Sequence, residues 1–169
     1  MPLTIGWINW NERLTKNPPN SGRTPVLRVL SLAGYFAMVG GLAALVWLRA
    51  IFSTCAPVIL LQAAALALFL WARITFGRRS YHLGADPTAG GLVTTGPYRH
   101  IRHPIYAAFC LFTEAGVMAH WSLKTGLLGG LILASALVRI FCEESLVSAR
   151  YPEYAEYRTR TWRMVPYLF

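Results

Sequence analysis

Two uncharged runs decide the fold, VLSLAGYFAMVGGLAALVWL at residues 29–48 and AIFSTCAPVILLQAAALALFLWA at residues 50–72. An α-helix rises about 1.5 Å per residue, so about 20 apolar residues cross the hydrocarbon core of a bilayer. Both runs are therefore predicted transmembrane helices. Residues 104–123 and 122–141 predict a third and a fourth span, which are weaker because charged or polar residues interrupt or border them.

The composition agrees with a protein embedded in a membrane. Of its 169 residues, 55% are hydrophobic and only 14% are charged. We expect a single domain over residues 1–169, an all-α integral membrane protein with about four transmembrane helices, a cytoplasmic loop and a C-terminal amphipathic helix. Residues 1–25, which carry Trp7 and Trp10, are expected to lie at the membrane interface.

Basic residues are distributed unequally between the two sides that four spans define. Of the 16 Lys and Arg residues, only Arg49 and Lys124 fall on one side, and all the others fall on the opposite side. The positive-inside rule therefore predicts that both termini and the Arg-rich middle loop lie in the cytoplasm. Attraction to anionic lipid heads explains the net charge of +9, so we predict no nucleic-acid partner.

Small residues recur every four positions in the first and the fourth span: Ala33, Ala37, Gly41, Gly126, Gly130 and Ala134. Such stripes let helices approach closely in lipid, and we interpret them as contacts within the molecule. A dimer face is the alternative, so a homo-oligomer is possible but not predicted. The three cysteines are interpreted as packing residues, and no metal site is predicted.

The chemistry is concentrated first in the segment GPYRHIRHPIY at residues 96–106. Pro104 suits the first position of a helix, which places Arg102 and His103 at the positive N-terminal end of the third span. Such an end binds an anion, for example a ligand carboxylate or phosphate. Tyr106 lies one turn further and offers an aromatic face or a hydroxyl. The alternative is that the basic residues only anchor the helix at the lipid headgroups.

A pair of glutamates follows near the end of the fourth span. Arg139 and Glu143 are spaced i, i+4 and share one helix face, whereas Glu144 is turned by about 100° from Glu143. An interfacial salt bridge is one interpretation, and a polar cavity that binds a ligand is the other. Clustered charges beside hydrocarbon are costly unless they bind something polar, which favours an enzyme site.

The ordered set of motifs resembles the isoprenylcysteine carboxyl methyltransferase and phospholipid methyltransferase group of integral membrane enzymes. The set consists of GPYRHIRHPIY, a helical hairpin, Glu143-Glu144, YPEYAEYR at residues 151–158 and Pro166. The resemblance covers residues 92–166, which it identifies as the cofactor-binding and catalytic half. Ser145 departs from the pattern, because many relatives carry a basic residue there, and the acceptor therefore stays open.

The resemblance implies S-adenosylmethionine as methyl donor, with S-adenosylhomocysteine as product, and a lipophilic or prenylated acceptor that enters from the bilayer. The C-terminal amphipathic helix would close the cofactor site. The catalytic residues would be Arg139, Glu143 and Glu144, and the acceptor would contact Arg139, Tyr154 and Arg158. The donor would be held by Leu92, Val93, Gly96, Tyr98, Arg102, His103, Tyr106 and Glu144.

The expected acceptor is the carboxylate of an isoprenylcysteine-type substrate, which is already anionic and needs no general base. A phospholipid amine or a small thiol is the alternative, and it would have to lose a proton to a Glu or His. Two other classes stay open. A sterol reductase that uses NADPH shares the Arg-His-Pro-x-Tyr segment but needs more spans, and a non-catalytic membrane scaffold would bind no such ligand.

Overall fold

The computed structural model describes residues 23–77 and 91–168, and these residues form α-helices, one 3₁₀-helix and no β-strand. The predicted all-α class is confirmed for this part of the chain. The 3₁₀-helix is Gly96–Arg99. The α-helices are α1 (Arg23–Trp47), α2 (Ala56–Phe76), α3 (Pro104–Ala119), α4 (Leu123–Arg150) and α5 (Tyr154–Arg160). Most of the predicted interfacial segment at residues 1–25 and part of the middle loop lie outside the described residues.

Three helices are long and apolar enough to cross a membrane: Pro25–Trp47, Ala56–Phe76 and Leu123–Arg150. The third predicted span, at residues 104–123, corresponds to α3, which has 16 residues. At about 1.5 Å per residue, α3 is about 24 Å long and shorter than a hydrocarbon core of about 30 Å. The structure therefore supports a multi-pass membrane protein with three candidate spans in its described residues.

Two helix boundaries differ from those predicted. The second run was expected to be helical from residue 50, but α2 begins at Ala56, with a proline in its first turn. Ala50 and Ile51 are buried in the connection before it, so their apolar character serves packing and not the helix. The fourth span was expected to end near residue 141, but α4 continues to Arg150 and contains both glutamates.

The helices pack as α1 along α4, α2 along α3, and α3 along α4. The inward face of α1 carries two glycines that make room for side chains of α4. A Cβ on Gly41 would lie 2.8 Å from Cγ1 of Ile132, and a Cβ on Gly34 would lie 3.0 Å from Cγ of Arg139. The close approach of α1 and α4 therefore depends on these two glycines.

The predicted stripes of small residues are wrong for three of their six members. Ala33, Gly130 and Ala134 are exposed, and a Cβ on Gly130 would meet nothing within 4 Å. The inward face of α1 instead comprises Ser31, Gly34, Met38, Gly41 and Leu45. These positions alternate steps of three and four residues, because 3.6 residues complete one turn, whereas a strict step of four moves around the helix.

One end of the helical bundle is closed by packing and hydrogen bonds that involve the connections at residues 48–55 and 120–122. The side chain of Gln62 donates to the carbonyl of Ile51 over 2.7 Å, and the ring Nε2 of His120 lies 2.8 Å from the carbonyl oxygen of Phe52. An apolar cluster that includes Leu45, Ile51 and Val117 fills this end. The predicted site residues lie at the opposite end.

Candidate active site

The turn that precedes α3 is paired with the C-terminal tail. The backbone N–H of Arg102 donates to the carbonyl of Trp162 over 2.7 Å, and that of His103 donates to the carbonyl of Arg163 over 2.9 Å. In the opposite direction, the N–H of Trp162 donates to the carbonyl of His100 over 3.0 Å. These bonds hold the tail against the Arg-His-Pro turn.

Glu144 is the buried anion that joins α4 to this turn and to the tail. Its Oε1 accepts from Nε of Arg102 over 2.9 Å, and its Oε2 accepts from Nε of Arg163 over 3.1 Å. The side chains of Arg102 and Glu144 are each 7% exposed. Buried charges are tolerated when they are paired and hydrogen-bonded, so this group is a fixed part of the architecture.

Arg102 also fastens the tail through backbone carbonyls. Its Nη1 donates to the carbonyl of Thr161 and, over 3.2 Å, to the carbonyl of Arg158. One side chain therefore binds α4, the end of α5 and the tail beyond it. This explains how a helix as short as α5 keeps its position.

Glu143 belongs to a second group, which faces α1. The hydroxyl of Tyr106 donates to Oε1 of Glu143 and accepts from Nε of Arg139 over 2.7 Å. Nη2 of Arg139 lies 3.4 Å from the same Oε1, and Nη1 donates to the carbonyl of Ser31 over 2.8 Å. The predicted sharing of one helix face by Arg139 and Glu143 is confirmed by this contact.

His103 lies between the two glutamates. Its Nδ1 is 3.8 Å from Oε2 of Glu143, and its Nε2 is 3.4 Å from Oε1 of Glu144. Among the described residues Nε2 is buried and has no hydrogen-bond partner of good geometry. A buried polar atom in this condition calls for a partner, and a bound ligand is one explanation.

A cavity of about 430 Å³ lies at the end of α2 beside the segment that precedes the 3₁₀-helix. It is lined by Thr75, Phe76, Gly77, Leu92, Val93, Thr94 and Thr95. The ring of Phe76 packs on Tyr98, with 5.4 Å between the ring centroids. Gly96 is needed here, because its φ is +57° and a Cβ would lie 2.6 Å from Oγ1 of Thr75.

The 3₁₀-helix is linked to α5 by one hydrogen bond. The hydroxyl of Tyr157 donates to the carbonyl of Tyr98 over 2.6 Å. Burial raises the pKa of Tyr157 to about 12, against a smaller opposing effect of the positive charge on Arg102. The hydroxyl therefore keeps its proton, and donates, throughout the physiological range of pH.

The structure brings together most of the side chains that the sequence proposed for the site. Arg102, His103, Tyr106, Arg139, Glu143 and Glu144 form one connected group. Leu92 and Val93 line the cavity, and Gly96 and Tyr98 lie in the adjoining 3₁₀-helix. Tyr154 is buried, and burial together with the negative charge of Glu144 raises its pKa.

One predicted residue stands apart, and several contributors, among them the side chain of Arg163, were not predicted. The side chain of Arg158 is exposed, and its backbone carbonyl is the group that contacts Arg102. The carbonyl of Ser31 and that of Thr161 accept hydrogen bonds from site arginines, but neither was a candidate. A backbone carbonyl carries no signal in the sequence, because every residue has one.

The depth of the site follows from the lengths of the helices. At about 1.5 Å per residue, Ser31 lies about 12 Å from the start of α1, and Glu144 lies about 9 Å from the end of α4. Both estimates place the charged group within the ends of the helices and not beyond them.

Comparison with known proteins gives one match. The family model described as phospholipid methyltransferase matches residues 54–154, which is more than half of the chain. The matched region extends from just before α2 to the beginning of α5 and includes the Arg-His-Pro turn and both glutamates. The comparisons with curated proteins and with solved structures found no match.

Proposed function

The chain belongs to the phospholipid methyltransferase family, and on that premise we propose that it transfers a methyl group from S-adenosylmethionine to the headgroup amine of a membrane lipid. The observation that carries the choice of an amine is the state of Glu143. Its Oε1 is occupied by Tyr106 and Arg139, whereas its Oε2 makes no hydrogen bond among the described residues.

The residues present fit a donor of this kind. The cavity of about 430 Å³ falls within the range of about 300–1,000 Å³ that is usual for small-molecule sites. Leu92 and Val93 line this cavity and would hold the donor. When bound, S-adenosylmethionine supplies a methyl group made electrophilic by a positively charged sulfur.

The partners of Arg139 argue against a carboxylate as acceptor. Its three guanidinium nitrogens bind Tyr106, the carbonyl of Ser31 and Glu143. An anionic acceptor would have to displace one of these contacts. An ammonium group would instead have a carboxylate oxygen to contact. The side chain of Glu143 is 23% exposed, and its Oε2 lies 3.8 Å from Nδ1 of His103 without a hydrogen bond among the described residues.

Glu143 would then act as general base. A lipid ammonium group must lose one proton before its nitrogen can attack, and Oε2 of Glu143 is the acceptor we assign to that proton. Tyr106 and Arg139 hold the other oxygen and so fix the orientation of the carboxylate. The low exposure of the surrounding charged side chains keeps water away from the nitrogen.

The proposal includes a membrane arrangement. We take α3 as a further span beside the three long helices, because it packs along α2 and α4 and is joined to α4 by three residues. Both termini and the site then lie at the cytoplasmic surface, as the distribution of basic residues predicts. The whole of residues 1–169 would act as one membrane-embedded domain, with α5 covering the donor.

The second candidate is the isoprenylcysteine carboxylate expected from the sequence. The observation that favours it is charge: Arg102, Arg139 and Arg163 carry three positive charges against the two negative charges of the glutamates. The surplus suits an anionic group. The contacts that already occupy the guanidinium group of Arg139 are the reason that we rank the amine first.

The test is methyl transfer from radiolabelled donor in proteoliposomes, with phosphatidylethanolamine and a prenylcysteine offered separately. We expect labelled phosphatidylethanolamine, and a fall of about 10²–10⁴-fold in kcat for Glu143→Gln, since that variant lacks the base. Glu153→Gln is the matched control, because Glu153 is exposed. Labelled prenylcysteine that forms equally well with the Gln variant would contradict the amine and support the carboxylate.

A further inference from the structure

We propose that Met164 determines which apolar chains the acceptor can carry. The inference rests on the proposed function and extends it from the headgroup to the chain. The relevant feature is the region between α1 and α3 on the side of Glu143, with α4 behind it, which is filled by side chains and not by helix-to-helix packing and which we call the lateral seam. Met164 reaches this space from the C-terminal tail.

The seam follows from the way in which the helices pack. Both α1 and α3 pack along α4, but among the described residues no comparable packing joins α1 to α3. Side chains fill the gap instead. Met38 of α1, Cys110 of α3 and Ala136 of α4 are buried together, and Tyr106, Phe109 and Met164 pack against them while staying partly exposed.

Two aromatic rings flank Arg139, which contacts Glu143, and these rings belong to the two helices that border the seam. The guanidinium carbon of Arg139 lies 5.3 Å from the ring centroid of Tyr35 and 5.8 Å from that of Tyr106. On the other side, Arg102 and the tail are closed by hydrogen bonds. We therefore assign the seam, whose side chains Tyr106, Phe109 and Met164 stay partly exposed, as the route by which the first carbons of an acceptor chain leave the site toward the bilayer.

Met164 has a fixed backbone and an adaptable side chain at this exit. The preceding residue, Arg163, is held by its carbonyl to the N–H of His103 and by its side chain to Glu144. The position of Met164 relative to the site is therefore set. Its side chain is unbranched, and such a side chain repacks around a ligand at low cost.

The test varies the volume at this position and measures selectivity between two lipids. Met164→Ala and Met164→Phe are compared with the control Val165→Ala, since Val165 is the neighbouring residue and 47% exposed. The lipids are diacyl and single-chain phosphatidylethanolamine. The quantity measured is kcat/KM for the diacyl lipid divided by kcat/KM for the single-chain lipid. We expect the ratio to rise for Ala and to fall for Phe, with about tenfold or more between the two variants. Val165→Ala keeps the wild-type ratio.

Two results overturn the inference. The first is an unchanged ratio in both variants that bind S-adenosylhomocysteine as the wild type does. The second is loss of that binding in Met164→Ala, Met164→Phe and the conservative Met164→Leu, which would give the residue a purely structural role.

A separate measurement distinguishes failure of the inference from failure of the proposed function. If the wild type methylates neither lipid, the proposed function fails. A phosphatidylethanolamine with a photoreactive group near the start of one chain then still tests the seam. Cross-linking to the peptide that contains Met164, reduced in Met164→Phe but not in Val165→Ala, supports the inference, and equal cross-linking in all three proteins overturns it.

Discussion

Replacing Glu144 with glutamine is expected to release the C-terminal tail from the Arg-His-Pro turn. The substitution preserves the size of the side chain and removes its negative charge. Glu144 is 6% exposed and bonds the Nε atoms of both Arg102 and Arg163. These two contacts, together with the backbone pairing beside them, hold the tail in place.

The magnitude can be worked out from the burial of the charges. Removing one partner of a buried ion pair costs about 3–5 kcal/mol, because the remaining charge is left without compensation. The amide oxygen of glutamine retains one hydrogen bond, which offsets about 1 kcal/mol. The expected loss of about 3 kcal/mol corresponds to about a hundredfold change in the equilibrium between attached and detached tail.

Hydrogen exchange of three amides measures this equilibrium, namely those of Arg102, His103 and Trp162, which bond across the turn and the tail. In lipid nanodiscs we expect about hundredfold faster exchange of these amides in Glu144→Gln, since exchange reports local opening.

The matched control for this experiment is Glu156→Gln, which makes the same change of charge in α5. Its partner Arg160 lies 2.5 Å away, but the two side chains are 67% and 74% exposed. Such exposed pairs contribute about 0–1 kcal/mol, so exchange should stay near that of the wild type. Equal exchange in the two variants would refute the assignment of Glu144 as the residue that holds the tail.

Three further outcomes are expected. S-adenosylhomocysteine at 100 times its Kd raises the free energy of unfolding by about 2.7 kcal/mol, so the Tm measured in detergent rises, whereas NADPH leaves the Tm unchanged. A rise of the Tm with NADPH alone would favour the sterol reductase class. Gly96→Ala lowers the free energy of unfolding by about 1–2 kcal/mol, because of its positive φ and the contact with Thr75, whereas Gly130→Ala does not lower it; similar losses in both would contradict this. Because the pKa of Tyr157 is raised to about 12 in the folded protein, the unfolded chain loses this proton first, and stability falls as pH rises from about 10 to about 12. Chemical denaturation should show a smaller fall in Tyr157→Phe, and an identical fall would refute the assignment.

The spans could be predicted from the sequence because few backbone structures are stable in hydrocarbon. A run of about 20 uncharged residues predicts a helix, since every backbone polar group in the bilayer must be bonded within the segment. The ends of the helices were harder to predict. The connection that contains Ala50 and Ile51 is as apolar as a span, and only its packing against Gly116 and the neighbouring core explains why it is not helical.

The inward and outward faces of the helices could be predicted only in part. Spacing alone separated Glu143 from Glu144 by about 100°, and the structure gives each a different set of partners. The inward face of α1 was missed, because small residues are equally common on its exposed side. Gly41 belongs to the predicted stripe and does contact Ile132, whereas Gly34 is identified as a packing residue only by the side chain of Arg139 opposite it.

The sequence by itself determined that this is an apolar helical protein, that charged groups lie at the ends of two helices, and which residue types are concentrated there. These properties follow from local composition and from the period of the helix. Tertiary structure alone decided that the tail pairs with the Arg-His-Pro turn, that Arg139 is held by a carbonyl of α1, and that α1 and α3 leave a seam. Contacts between distant segments depend on the complete packing, and no local pattern encodes them.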